Sequence, residues 1–233
     1  MIWNNRRHTI AIPKNCPIQD SCAVFSDNGC DYIVVADGVG GNGNGEIASS
    51  TVVNSVMDIV KSQNDVSIST IFERARSDLI SIDVSDNGMA TTLTVAKIVG
   101  DKLYIGHVGD CRVYLLRGCG LKTLTVDQNE AQFLIDEGVI DKKFASTYPR
   151  RNILTSSISA RTDYSLYLNE FDLHARDRVL VMSDGCYNLI SKREFVDLNI
   201  ASSDIDILLA GVEKKLIELG VKDDATIAAV EVD

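Results

Sequence analysis

Short blocks of β-branched and aromatic residues alternate along this chain with longer stretches in which apolar positions recur every three or four residues. Ala23-Val-Phe-Ser26 and Asp31-Tyr-Ile-Val-Val-Ala36 are apolar runs bounded by Asp, Asn and Gly, the pattern of short strands. From Glu46 to Lys61 the residues Val52, Val56, Ile59 and Val60 fall on one stripe and predict a helix. Ile71, Phe72, Ala75, Leu79 and Ile82 do the same for a second helix over Ser69 to Ile82. Three apolar runs follow, at 90–99, 102–108 and 111–116. The pairs Gly100-Asp101 and Gly109-Asp110 between them are turn formers, so the expectation is a β-meander with antiparallel pairing. Asn129 to Glu137 reads as a short helix stopped by Gly138, and Val139 to Thr162 as an irregular, polar surface excursion. Arg178 to Ser183 reads as a buried strand, Ser203 to Leu219 as an amphipathic helix closed by Gly220, and Ala225 to Val232 as a last strand. Antiparallel strands and helices in separate blocks predict an α+β fold.

Composition narrows the function classes. With 233 residues, three prolines and no Ser/Gly-rich linker, residues 1–233 are expected to form a single domain. A formal net charge of −10 argues against nucleic-acid or anionic-membrane partners, whose phosphates would repel it. No apolar run approaches the length that crosses a bilayer, and the N-terminal segment lacks the apolar stretch of a secretory signal. Six cysteines without a C-x-x-C pair offer neither a zinc knuckle nor a redox motif. These exclusions leave a soluble, cytoplasmic, acidic protein.

The informative pattern is where the aspartates fall. Asp37-Gly38 follows Val34-Val35-Ala36, Asp110 follows His107-Val108-Gly109, Asp184-Gly185 follows Val181-Met182-Ser183, and Asp223-Asp224 precedes the last apolar run. Any one of these is ordinary turn chemistry. Four of them at the ends of rigid strands can converge on one point. Carboxylate oxygens suit Mg²⁺ or Mn²⁺, and a two-ion carboxylate site can activate a shared water for in-line phosphoryl displacement. The three histidines and the unpaired cysteines give little to a zinc or copper site.

At these residues the sequence resembles a known family. Asp37-Gly-Val-Gly-Gly41, Gly109-Asp-Cys-Arg112, Ser183-Asp-Gly185 and Asp223-Asp-Ala-Thr226 look like the ordered signature set of the metal-dependent protein phosphatases, the type 2C Ser/Thr phosphatases. Gly45-Glu-Ile-Ala-Ser49, Leu124-Thr-Val-Asp-Gln128 and Tyr148-Pro-Arg-Arg-Asn-Ile-Leu-Thr155 are similar to segments of the bacterial branch, and the likeness spans about residues 18 to 232. The resemblance implies a four-layer αββα sandwich with a flap-like excursion about 129–162. It implies hydrolysis of phosphoserine and phosphothreonine in proteins marked by a Ser/Thr kinase, by water activated at two Mn²⁺ or Mg²⁺ ions, with room for a third. Carried over by position, the catalytic residues are Asp37, Asp184 and Asp223. Asp37 would bridge the ions, the Gly38 carbonyl would bind one of them, and Asp184 and Asp223 would complete the other. Asp110, with Asp184, would serve the third ion, and Asp20 would act through a water. A monomer is expected.

Departures from the family pattern are local. Gln19 stands where the family has Glu, and Asn15 where it has a phosphate-binding Arg, which leaves the adjacent Lys14 as the expected phosphate-binding cation, a point charge rather than a fork. Val39 replaces a His found in eukaryotic members, and Cys111 a Ser. These changes keep open a second reading, a catalytically weakened module of the same fold that binds phosphoproteins. Gly38 to Gly43 also matches the G-x-G-x-x-G dinucleotide fingerprint, but two helices and a meander follow it rather than a βαβ crossover, which disfavours a nucleotide site. Cys111 and Cys186 have no sequence-evident base and read as buried thiols, and His107 reads as a core residue.

Overall fold

Strands buried on both faces need a cover on each side, and this chain supplies it with two sheets and two groups of helices. The computed structural model describes residues 6–14, 17–39, 44–83 and 88–233. Among these the first half runs β1 (Arg6–Ile12), β2 (Asp20–Asp27), β3 (Cys30–Val39), α1 (Gly45–Ser62), α2 (Ile68–Ile82), β4 (Ala90–Thr91), β5 (Leu93–Val99), β6 (Lys102–Val108) and β7 (Arg112–Arg117). Then come β8 (Gly120–Thr123), α3 (Glu130–Asp136), a 3-10 turn over Lys142–Thr147, β9 (Ile158–Ser159), β10 (Tyr167–Asp172) and β11 (Arg178–Met182). The chain ends with α4 (Asp184–Tyr187), α5 (Lys192–Ala201), α6 (Ile205–Leu219) and β12 (Ala225–Glu231).

One sheet is ordered β1-β12-β11-β7-β8. The other is ordered β10-β6-β5-β3, with β2 also paired to β3 and the short β4 and β9 continuing from the end of β3. The named strand pairs in both are antiparallel, as an α+β fold requires.

Side-chain alternation builds the layers. On β3, Val34 and Ala36 pack with Val52, Val56 and Phe72 of α1 and α2, while Ile33 and Val35 face the second sheet. On β11 and β12, Leu180, Met182, Ile227 and Ala229 meet Leu208, Val212 and Leu216 of α6, whereas Val179, Val181, Ala228 and Val230 fill the space between the sheets. Helix, sheet, sheet and helix therefore stack in that order, the expected αββα sandwich.

Helix starts are chemically marked. Ser67, Asn129 and Asp204 cap α2, α3 and α6 by accepting the backbone N–H three residues on, and Ser191 with Glu194 forms a reciprocal capping box at α5. The last long helix accordingly begins at Ile205 rather than Ser203.

The meander expectation needs correction. Gly100-Asp101 does close the β5–β6 hairpin, but β7 pairs with β11 and β8 in the other sheet, not with β6. Gly109 has φ +110, and a Cβ there would lie 2.5 Å from Thr92 Cγ2, so the chain passes from one sheet to the other at a point only glycine fits. Asp110 sits on that crossing. The dinucleotide reading fails for a related reason: β3 and β5, on either side of the two helices, are antiparallel neighbours. Among the described residues no helix is long and apolar enough to cross a membrane.

Candidate metal centre

Asp20 opens β2 opposite Asp37 of β3, Asp110 lies between β6 and β7, Asp184 is the first residue of α4 directly after β11, and Asp223 and Asp224 precede β12. The ends of both sheets thus bring the predicted carboxylates together, close enough for their charges to act on one another. Gly40 to Gly43 and Asn15, also singled out in the sequence, lie outside the described residues.

Backbone contacts fix this geometry. A Cβ on Gly38 would lie 2.2 Å from the Gly45 carbonyl oxygen, so strand β3 and the start of α1 touch backbone to backbone. A Cβ on Gly185 would lie 2.1 Å from the Asp224 carbonyl oxygen, which brings α4 against the turn before β12. Thr92 holds Asp37 from two directions: its hydroxyl accepts the Asp37 N–H at 2.8 Å and its own N–H donates to the Asp37 carbonyl at 2.9 Å. Ser183 donates its hydroxyl to Asp20 Oδ2 at 2.6 Å and accepts the Thr226 N–H at 3.0 Å, tying β2, β11 and β12 at one point.

The adjacent aspartates before β12 have different jobs. Asp224 is buried and accepts the backbone N–H groups of Lys14 at 2.7 Å and Gln19 at 2.6 Å, so it anchors the incoming chain. Asp223 is exposed, and its negative charge pushes up the pKa of Asp184 and Asp37. Lys14 is exposed, touches the centre only through its N–H, and makes no ion pair among the described residues. The Gln19 carbonyl is held by the Gly38 N–H and the Ser49 hydroxyl, and its side chain approaches Gly45.

Electrostatics identify the centre as short of positive charge. Burial first, then the charges of Asp224 and Asp184, push Asp20 up to about 7 despite its hydrogen bond from Ser183. Burial and the neighbouring Asp184 and Asp127 push Asp110 to about 7 as well. Burial and Asp223 raise Asp184 to about 6, and burial with Asp20, Asp184, Asp110 and Asp223 holds Asp37 well above the usual carboxylate range. Among the described residues none of Asp20, Asp37, Asp110, Asp184 and Asp223 is ion-paired to a Lys or Arg. Nor do any three described His, Cys, Asp or Glu side chains already converge as a finished ion cage. Arg112 and Arg151 offset the shift of Asp184 only in part, and the donor chemistry is that of hard divalent ions: oxygen donors without an ion-paired cation, and a glycine backbone at close range.

Interactions whose partners the sequence motifs do not reveal surround the centre. Arg112 makes a two-pronged bond to Asp127, at 2.9 and 2.7 Å, and lies 3.7 Å over the Tyr187 ring. Tyr187 in turn donates its hydroxyl to the Asp110 carbonyl at 3.0 Å. The Gln128 side chain accepts the Gly109 N–H and donates to the Ser165 carbonyl, both at 2.8 Å. Its backbone bonds Gly109 and Thr155. Gln128 thus joins the Asp110 crossing to both roots of the 129–162 excursion.

Comparison with known proteins identifies the family. A model of the family "Protein phosphatase 2C" matches residues 8–205. The chain belongs to the protein phosphatase 2C family. Protein phosphatase PhpP of Streptococcus pneumoniae is 30% identical over 221 residues, covering 88% of this chain and 87% of that protein. Serine/threonine phosphatase stp of Listeria monocytogenes is 26% identical over 231 residues, covering 92% and 90%. Among solved structures, the S. agalactiae serine/threonine phosphatase superposes with a TM-score of 0.88 at 26% identity, over 98% of this chain and all of that one (100%). The PstP catalytic domain, solved in complex with two manganese ions, superposes at 0.82 with 24% identity, over 98% of each chain. Within a phosphatase 2C fold the buried thiols stay bystanders. Burial raises Cys111 and Cys186 well above the ordinary thiol range, and His107, lowered to about 4 by burial, bonds Thr94 inside the core.

Proposed function

We propose that this chain removes phosphate from phosphoserine and phosphothreonine in proteins, the products of a Ser/Thr kinase, using Mn²⁺ or Mg²⁺ held by Asp37, the Gly38 carbonyl, Asp184 and Asp223. Asp110 would serve a third ion, and Asp20 would orient water. The observation that carries the reading is the gathering of Asp20, Asp37, Asp110 and Asp184 in one region with no ion-paired Lys or Arg among the described residues, in a chain of the phosphatase 2C family. When bound, the ions supply Lewis acidity and a water nucleophile at neutral pH. The protein's own part is positioning. Thr92 fixes the Asp37 backbone, Ser183 aims Asp20, and Asp224 holds the segment carrying Gln19. In the ion-free chain burial pushes Asp20 up to about 7, and bound cations would favour its charged form, which can accept a hydrogen bond from water.

The continuous layers favour one domain over 1–233 with a flap over 129–162, acting as a monomer in the cytoplasm. Gln19 in place of Glu would suit a weakened, phosphoprotein-binding module, but such a module has no chemical need for the retained Asp37, Asp184 and Asp223. The deciding experiment is Mn²⁺-dependent hydrolysis of a phosphothreonine peptide by the wild type, Asp37→Asn and Asp184→Asn. Rates that fall by two or more orders of magnitude in both variants are expected. Background activity in the wild type, or variants as fast as it, would sink the assignment.

A further inference from the structure

Beside the acidic centre is a cavity of about 350 Å³ whose lining runs from Asp110 and Asp184 on one side to Lys142 and Arg151 of the 129–162 excursion on the other. Asp20, Asp37 and Asp223 are not part of its lining, so the cavity adjoins the proposed ion site without being its centre.

The cations here are unusual in a chain of net charge −10. Lys142, Lys143, Arg150 and Arg151 fall within ten residues. Two of them are committed: Lys143 pairs with Asp141 at 3.1 Å, and Arg150 with Glu130 at 2.8 Å. Lys142 and Arg151 are exposed and make no ion pair or side-chain hydrogen bond among the described residues. Nearby, Arg112 is neutralised by Asp127. The Lys192 ammonium is lowered by burial and then by the positive charges of Arg112 and Lys142, so positive charge is crowded rather than relieved at this rim. Once divalent ions satisfy Asp110 and Asp184, the two free cations are left facing the cavity without a counter-charge.

We propose that this cavity receives the residue flanking the phosphorylated one, and that Lys142 and Arg151 select substrates carrying an acidic side chain there. The proposal rests on the phosphatase reading and adds a substrate class to it: acidic phosphopeptides. A cavity of this size accommodates a Glu or Asp side chain, and a guanidinium and an ammonium lining the same cavity offer it a forked and a point-charge contact. Each such exposed pair contributes modestly, so two together correspond to about a fivefold to tenfold preference, reduced by salt.

The test uses the full chain with Mn²⁺ and phosphothreonine peptides that differ only in Glu, Ala or Lys beside the phosphoresidue. Binding of non-hydrolysable phosphonate versions is read by fluorescence anisotropy, and kcat/KM is measured on the phosphate forms. Glu peptides are expected to bind and react about fivefold better than Lys peptides, with the gap closing as NaCl rises. Lys142→Glu with Arg151→Glu should reverse the order. Lys61→Glu with Lys214→Glu, an equal change of net charge on distant helices, should keep it. Equal affinities in the wild type, or an order unaltered by the first double substitution, would overturn the proposal while leaving the phosphatase reading in place. No hydrolysis of any peptide would overturn that reading, and the proposal would fall with it.

Discussion

A buried carboxylate with other carboxylates beside it titrates late, and at Asp184 the sign of that effect is measurable. Its pKa in the folded, ion-free chain is raised to about 6 from the ordinary 3.8. The folded state therefore binds the proton more tightly than the unfolded one, and stability present below pH 4 is eroded as pH rises through about 6. In EDTA, Asp184→Asn should match the wild type at pH 4 and exceed it by roughly 1–3 kcal/mol at pH 8 in urea denaturation. With saturating Mn²⁺ the order should reverse, because the substitution removes a proposed ligand. A variant less stable than the wild type at pH 8 in EDTA would contradict the electrostatic picture. Ser183→Ala should cost about 1–3 kcal/mol, since it strips a buried hydrogen bond from Asp20 and another from the Thr226 N–H. An unchanged urea midpoint would show that Ser183 does not hold that junction. Asp37, Asp110 and Asp184 were readable because an aspartate next to glycine after an apolar run marks a strand end. The anchoring roles of Ser183 and Asp224 were not, because their partners lie between 41 and 210 positions away in the chain and no local pattern records them. Adjacency in sequence points to Lys14 as the phosphate-binding cation, but the structure turns only its N–H to the centre.

Among elements, burial decided what could be read. Helices α1, α2 and α6 each bury one stripe against a sheet, so their periodicity was visible. β1, β8 and β10 escape the pattern, and each lies at the edge of its sheet, where among the described residues one side has no partner strand and polar residues such as Arg7, Lys122 and Glu170 are exposed. The meander was misread because Gly109-Asp110 is compatible with a hairpin turn and with a crossing between sheets; only packing against Thr92 selects the crossing. Gly38→Ala tests the close approach of β3 and α1 directly. The added methyl would meet backbone rather than a yielding side chain, so a loss of more than about 2 kcal/mol is expected by urea denaturation. A loss within about 0.5 kcal/mol would show that the two backbones can separate freely. Gln128→Ala removes both side-chain bonds between the Asp110 crossing and Ser165. Hydrogen exchange should quicken at Gly109 and through 129–162 while α6 stays protected, and uniform exchange across the chain would count against that coupling.

At the scale of the whole molecule, the net charge of −10 gains a local meaning. Part of it is concentrated where two sheets end, in carboxylates that repel one another until cations arrive. The fold pays for that concentration with stability, and a divalent ion returns it: at a hundred times its dissociation constant each site adds about 2.7 kcal/mol. The measurement that tests this account most directly is titration of the ion-free chain with Mn²⁺, counting bound ions by calorimetry, for the wild type and Asp37→Asn. At least two ions per chain are predicted for the wild type, with a melting temperature raised by about 10–20 °C, and loss of both signatures in Asp37→Asn. A wild type that binds no Mn²⁺ at millimolar concentration, or a variant that binds it equally well, would contradict the account.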